Sequence, residues 1–149
     1  MADIRKIEAL DTYHLRHKIL RPHQSVDQCR FEGDTDVNTT HLGVYLADKL
    51  VGILSVYLAQ NVYIPMPNSW QLRAMATEEQ LRGRGYGTKL IERAESYVIG
   101  KGGQCIWANA RLNAVGFYER LGYLKVGEVF YIQDVGPHIL VCKHMASSC

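Results

Sequence analysis

The chain has 149 residues, enough for one domain with a single buried core. Its composition, 47% apolar and 21% charged, excludes a disordered or collagen-like chain, and a net charge of +2 is too small to point to a polyanionic partner. No apolar run reaches transmembrane length, and the opening "MADIRKIEAL" lacks the apolar segment and cleavage site of a secretory leader. The expected compartment is the cytoplasm, with neither nucleic acid nor membrane as partner.

"IRKIEAL" reads as a short opening strand, and Asp11 as the N-cap of a helix through "TYHLRHKIL" that ends before Pro22. Residues 23–40, "HQSVDQCRFEGDTDVNTT", are polar and loop-like. "HLGVYLA" and "VGILSVYL" are β-rich runs separated by "DKL", an antiparallel hairpin whose Asp48-Lys49 turn lacks the favoured glycine. "NVYIPMPNS" is a proline-bearing loop and "WQLRAMAT" a further strand. From Tyr86 the period changes: Gly87, Leu90, Ile91, Ala94 and Val98 recur at three or four residues as one face of a helix, which Gly100, Gly102 and Gly103 stop. "QCIWANA" follows as a buried strand, "NAVGFYERLGY" as a helix ending at Gly122, and "VGEVFYI" and "PHILVCK" as closing strands. The order predicts an α/β sandwich on a mixed sheet.

The loop between the fourth strand and its helix carries glycines at alternate positions, Gly83, Gly85 and Gly87, with Arg82 and Arg84 beside them. Unpaired N–H groups and the positive end of the macrodipole make such a junction an anion site, and glycine lets a phosphate approach without meeting a Cβ. A tight turn with solvated arginines is the structural alternative. A nucleotide-hydrolysing P-loop needs GxxxxGK[ST], which no stretch fits, and Gly-Arg-Gly-Tyr-Gly is one residue too short for the dinucleotide-binding GxGxxG.

Arg82-Gly83-Arg84-Gly85-Tyr86-Gly87 resembles the Q/R-x-x-G-x-G/A loop with which the GCN5-related N-acetyltransferases (the GNAT family) hold the pyrophosphate of acetyl-CoA. "GFYERLGY", about thirty residues on, resembles the family's FYxxxGF helix, with Tyr123 at the usual Phe; "FYIQDVGPHILVCKHM" resembles the ending of the small bacterial ElaA/YjcF-like branch. The resemblance implies a single domain over residues 1–149 with an α/β (α+β) fold, a mixed and mostly antiparallel sheet flanked by helices. It also implies that the fourth and fifth strands splay and admit the pantetheine arm, which bonds the backbone of Met75, Ala76 and Thr77 as an added strand would. Residues Arg82, Gly83, Arg84, Gly85, Tyr86, Gly87 and Thr88 would then surround the pyrophosphate. Asn109 and Asn113 are possible polar contacts to the arm, a helix cap being the alternative for Asn113.

Acetyl transfer to an amine needs an oxyanion donor, for which a backbone N–H near Ala76 is placed, a route for the amine's proton, and a donor for the leaving thiolate. The resemblance makes Tyr118 that donor, acting mainly by hydrogen bonding, since a free tyrosine titrates near ~10 and a thiol near ~8.5; the alternative is a helix aromatic. The strand-four glutamate of several relatives has no counterpart in "WQLRAMA", and Glu78 and Glu79 lie past the strand, expected in solvent. His138 is the remaining candidate base, set against a satisfied structural histidine or a proton relayed by water.

No metal is expected: His14, His17, His23 and Cys29 read as a solvated face rather than a ligand set, and Asp34 and Asp36 lack EF-hand spacing. Those aspartates would contact a cationic amine or shape a turn. Cys105 and Cys142 sit in apolar runs as core residues, and Cys149 reads as an exposed thiol. The leading expectation is an acetyl-CoA-dependent N-acetyltransferase, monomer or homodimer, with a small-molecule or peptide amine as acceptor. A non-catalytic acyl-CoA-binding regulatory domain and a phosphate-binding module are the other readings. The acceptor is expected to be chosen by residues 20–40, the "NVYIPMPNS" loop and the last two strands.

Overall fold

Residue 8, not residue 11, opens the first helix. In the computed structural model, which describes residues 2–145, α1 runs Ala9–Leu15 with Glu8 as N-cap. Asp11 caps from inside: its carboxylate accepts the Glu8 N–H at 2.9 Å, the reach-back arm of a capping box. A π-helical turn, Arg16–Leu20, continues α1 and stops before Pro22 as expected. Cys149 lies outside the described residues.

The strands are β1 (Ala2–Ile7), β2 (Thr40–Leu46), β3 (Lys49–Leu58), β4 (Ser69–Thr77), β5 (Cys105–Arg111), β6 (Leu124–Ile132) and β7 (Gly136–His144), with α2 at Tyr86–Gly100 and α3 at Val115–Arg120. They hydrogen-bond in the order β1-β2-β3-β4-β5-β7-β6. The β1–β2, β2–β3, β5–β7 and β6–β7 pairs are antiparallel and β4–β5 is parallel, so the sheet is mixed as expected.

By packing, the chain forms two units. In the first, residues up to Tyr57 together with Arg73–Ser96, β1 to β3 build a meander over a core that includes Ile7, Leu15, Ile53 and Ala76. The β2–β3 turn is Ala47-Asp48, both at positive φ (48° and 69°), the primed geometry that two-residue hairpins favour. It lies one residue earlier than the Asp48-Lys49 expectation, and here alanine and aspartate carry the strain that glycine ordinarily relieves. The helical periodicity from Tyr86 holds: Leu90, Ile91 and Ala94 are fully buried.

In the second unit, Leu58–Leu72 together with residues from Tyr97 on, the core gathers Ile64, Cys105, Trp107, Leu140 and Cys142. Trp107 satisfies its indole by donating to the Ala59 carbonyl at 2.9 Å. The α2 helix ends on Gly102 at φ 77°, with the Gly103 N–H returning to the Val98 carbonyl at 2.8 Å, a Schellman-type stop. Helix α3 is shorter than "NAVGFYERLGY" suggests, because Leu112–Ala114 form a separate 3-10 turn before it. Among the described residues no helix is long and apolar enough to cross a membrane.

Candidate active site

The glycine loop lies in the first unit. Gly83 and Gly85 adopt φ of 83° and 85°, and a Cβ at either would meet nothing within 4 Å. Those glycines answer to backbone conformation and open approach rather than to packing. The Lys89 N–H bonds the Gly85 carbonyl at 3.1 Å, starting the α2 ladder. The amides just before it are therefore the unpaired donors of a helix N-terminus. Arg82 and Arg84 are exposed around them, and Tyr86, Gly87 and Thr88 form the first turn of α2. The residues present fit a pyrophosphate.

Upstream on β4, Ala74 has φ 58°, an outlier inside a strand that kinks the backbone immediately before Met75, Ala76 and Thr77. Glu78 is a correction. It is buried rather than solvent-facing, and its carboxylate accepts from Lys18 Nζ at 2.8 and 3.1 Å. Glu79 is exposed as expected.

The same unit holds a polar cluster with no precedent in the sequence motifs. Arg16, fully buried, forks onto Asp34 at 2.7 and 3.0 Å and donates to the Cys29 carbonyl, Ser55 Oγ and Tyr57 Oη. His41 completes the cluster. A carbonyl only accepts, so Nε2 donates to the Asp34 carbonyl at 2.8 Å, and Nδ1 takes the Ser55 hydroxyl at 2.7 Å. Burial pushes the Asp34 carboxyl up, but hydrogen bonds from Arg16, Tyr57 and the Phe31 amide more than offset this and hold it below its ordinary value. Burial likewise holds the His41 imidazole down. Asp34 is thus occupied by the protein itself and does not await a cationic amine; Asp36 is exposed in the turn after it.

A carboxyl held down on folding contributes stability above its unfolded value, lost as pH falls through the folded one. Removing it strands a buried guanidinium. Asp34→Ala is expected to cost about 3–5 kcal/mol in urea unfolding at neutral pH, with the difference from the native chain narrowing in acid.

Phe31 is the hub of a second layer. The Arg16, Arg21 and Arg73 guanidinium carbons lie 4.3, 4.8 and 4.2 Å from its ring centroid, and Arg73 lies 5.8 Å from Tyr57's. Of these three guanidiniums it is Arg16 that pairs with Asp34, whose carboxylate also accepts the Tyr57 hydroxyl at 2.6 Å. Arg21 donates to Gln24 Oε1 at 3.2 Å. Arg73 makes no ion pair among the described residues, and burial, with Arg21 and Arg16 beside it, lowers its pKa. An arginine does not deprotonate at neutral pH, so Arg73 stands as a cation that Asp34 only partly offsets, without an ion pair among the described residues.

In the second unit, Tyr118 on α3 is buried, its ring packed edge-on against Phe117 and Tyr123, and burial pushes its hydroxyl up to about 12. His138 on β7 is buried, stacked on Phe130 and in register with Arg111 of β5. Its Nδ1 donates to the Gly136 carbonyl at 2.7 Å, which leaves Nε2 with the lone pair in the neutral ring. Arg111, missed by sequence reasoning, is half-buried at the exit of β5, and burial lowers its pKa. Asn109 and Asn113 are exposed; Asn113 sits in the 3-10 turn and does not cap α3, whose N-cap is Ala114 without a side-chain bond. The structure does not bring His14, His17, His23 and Cys29 together as ligands: His17 Nε2 bonds the Gln24 carbonyl and Cys29 is buried.

Comparison with known proteins gives the family and the fold. The model of the Acetyltransferase (GNAT) family matches residues 2–123. The uncharacterized N-acetyltransferase YitI of Bacillus subtilis (strain 168) is 37% identical over 148 residues, covering 99% of both chains. An aminoglycoside 6'-N-acetyltransferase solved with coenzyme A superposes with a TM-score of 0.78 at 17% identity, over 99% of each chain. The ribosomal-protein-S18-alanine N-acetyltransferase of Escherichia coli does so at 0.78 and 16%, over 100% of this chain and 97% of its own. At such identities the likeness establishes the fold, the acyl-CoA N-acyltransferase arrangement.

Proposed function

This chain belongs to the GNAT acetyltransferase family, and on that premise we propose that it moves the acetyl group of acetyl-CoA directly to the amine of an acceptor that also carries an anionic group. The fold alone does not choose the acceptor: one structural neighbour is named for an aminoglycoside and another for a protein alanine. The observation that carries the choice is Arg73, a guanidinium held between Phe31 and Tyr57 without an ion pair among the described residues. A carboxylate or phosphonate on the acceptor supplies the missing charge and can take a guanidinium fork through two bonds. A polycationic acceptor meets repulsion there.

In this reading the chain acts as one acetyltransferase domain. The amides from Gly83 to Thr88 bind the pyrophosphate, and Met75, Ala76 and Thr77 line the pantetheine through backbone groups, with Asn109 and Asn113 as further polar contacts to the arm. The acceptor nitrogen adds to the thioester carbon to give a tetrahedral intermediate, and its collapse restores the C=O bond, breaks the C–S bond and expels the thiolate. The developing oxyanion takes a backbone N–H near Ala76, and the departing sulfur takes the Tyr118 hydroxyl's hydrogen bond. The proton on the acceptor nitrogen passes to His138 Nε2 or to water. Incubation with acetyl-CoA and amines graded by charge, read as acetylated product by mass spectrometry, tests the reaction. Bound acetyl-CoA with no product from any amine would instead support the non-catalytic alternative.

Two further outcomes are expected. Gly85→Val places a branched side chain at φ 85°, which L-residues avoid by about 1–2 kcal/mol. Acetyl-CoA affinity by calorimetry should fall roughly 5- to 30-fold or more, with folding intact because no atom is displaced; unchanged affinity would reject this placement of the pyrophosphate. His138→Ala should lower turnover at neutral pH if Nε2 takes the proton. Unchanged turnover assigns the proton to water.

A further inference from the structure

A ligand set apart from His14, His17, His23 and Cys29 assembles in the second unit, where the acetyl-transfer scheme does not use it. Cys105 opens β5 directly opposite His144 of β7, and Cys142 lies two residues before His144, so the three side chains share one face of the strand pair. Their ligand atoms, two sulfurs and one ring nitrogen, all lie within 4.8 Å of one another. The two thiols are buried and in mutual hydrogen-bonding contact, while His144 is exposed.

From this geometry we propose that Cys105, Cys142 and His144 bind a single thiophilic dication of the zinc type, clamping the start of β5 to the end of β7. Zinc bonds sulfur at about 2.3 Å and imidazole nitrogen at about 2.0–2.1 Å, so tetrahedral ligand atoms stand about 3.3–3.8 Å apart. Small side-chain rotations close the observed spacing to that value. Charge selects the ion. Coordination releases both thiol protons, and a dication with two thiolates and a neutral imidazole sums to zero, which suits walls built from Ile64, Trp107 and Leu140. A monovalent soft ion would leave a net negative charge in that apolar setting, and magnesium or calcium would find no oxygen ligands. The exposed side, at His144, is the entry path and the place for a water as fourth ligand.

Cobalt is the probe, because thiolate–cobalt charge transfer and tetrahedral d–d bands report ligand type and geometry directly. The full chain carrying Cys149→Ser, which removes the thiol near the C-terminus, is titrated with Co²⁺ alone. The expected result is one Co²⁺ per chain with a thiolate band, displaced by one Zn²⁺, and a rise in melting temperature with either ion. Cys142→Ser should abolish the band. His144→Ala, at an exposed position where folding is safe, should weaken binding at least about tenfold. No thiolate band in the Cys149→Ser chain, or a band that both variants leave unchanged, would show two core cysteines only and overturn the proposal.

Discussion

Tyr118→Phe is expected to lower turnover by about 10²–10⁴-fold, the usual range for one proton-handling group, while acetyl-CoA affinity stays close to native. Phenylalanine keeps the ring that packs against Phe117 and Tyr123 and deletes only the hydroxyl, so the core around α3 should survive. The loss falls on the transition state because a thiolate accepts a hydrogen bond far better than a thioester sulfur does. With burial holding the hydroxyl up to about 12, Tyr118 keeps its proton through the working range and, in the proposed role, would stabilise sulfur by sharing it. The alkaline side of the rate profile should therefore lack a limb near pH ~10, where a free tyrosine would titrate. Lowered affinity with normal turnover would make Tyr118 a binding residue. Normal values for both would make it a packing residue.

Arg73→Met is expected to lower kcat/KM for anionic amines by about 30- to 4 × 10³-fold, the equivalent of the 2–5 kcal/mol lost with one partner of a desolvated charge pair. The flexible thioether keeps contact with Phe31 and Tyr57, so stability should change little. The effect should fall mainly on KM, because an anion bound there would be held equally in ground and transition states. Neutral amines should be used as well as before, or better. An equal loss for charged and neutral acceptors would instead place Arg73 in the support of β4.

The two predictions rest on residues that differ in how far sequence exposes them. Tyr118 belongs to a contiguous motif, and the glycine loop is likewise local: three glycines, a strand before them and a helical period after them lie within one short window. The strands and helices are legible for the same reason, since burial alternates with the backbone's own period. The arginine cluster has no such signature. Arg16 lies in a helical run where an arginine ordinarily faces water, and its partners Asp34, Ser55 and Tyr57 stand 18, 39 and 41 residues away. Only the folded meander brings them together, turning Asp34 from a candidate amine contact into an internal counter-ion. Glu78 escapes sequence reading in the same way, through Lys18, 60 residues distant. Asp11 shows a smaller limit: the residue type marks a helix start, but N-cap and N3 positions both favour aspartate's chemistry, and the choice depends on where Ala9 enters the helix.

The most direct measurement is CoA-thiol release at neutral pH with matched acceptors, each an amino acid or aminophosphonate beside its uncharged amide or ester, so that the amine is the same and only the anion differs. Acetyl transfer is expected in both members of a pair, with kcat/KM higher by about 10-fold or more for the anionic one and the advantage lost in Arg73→Met. Equal rates within every pair, or faster transfer to the uncharged or cationic amine, would contradict it.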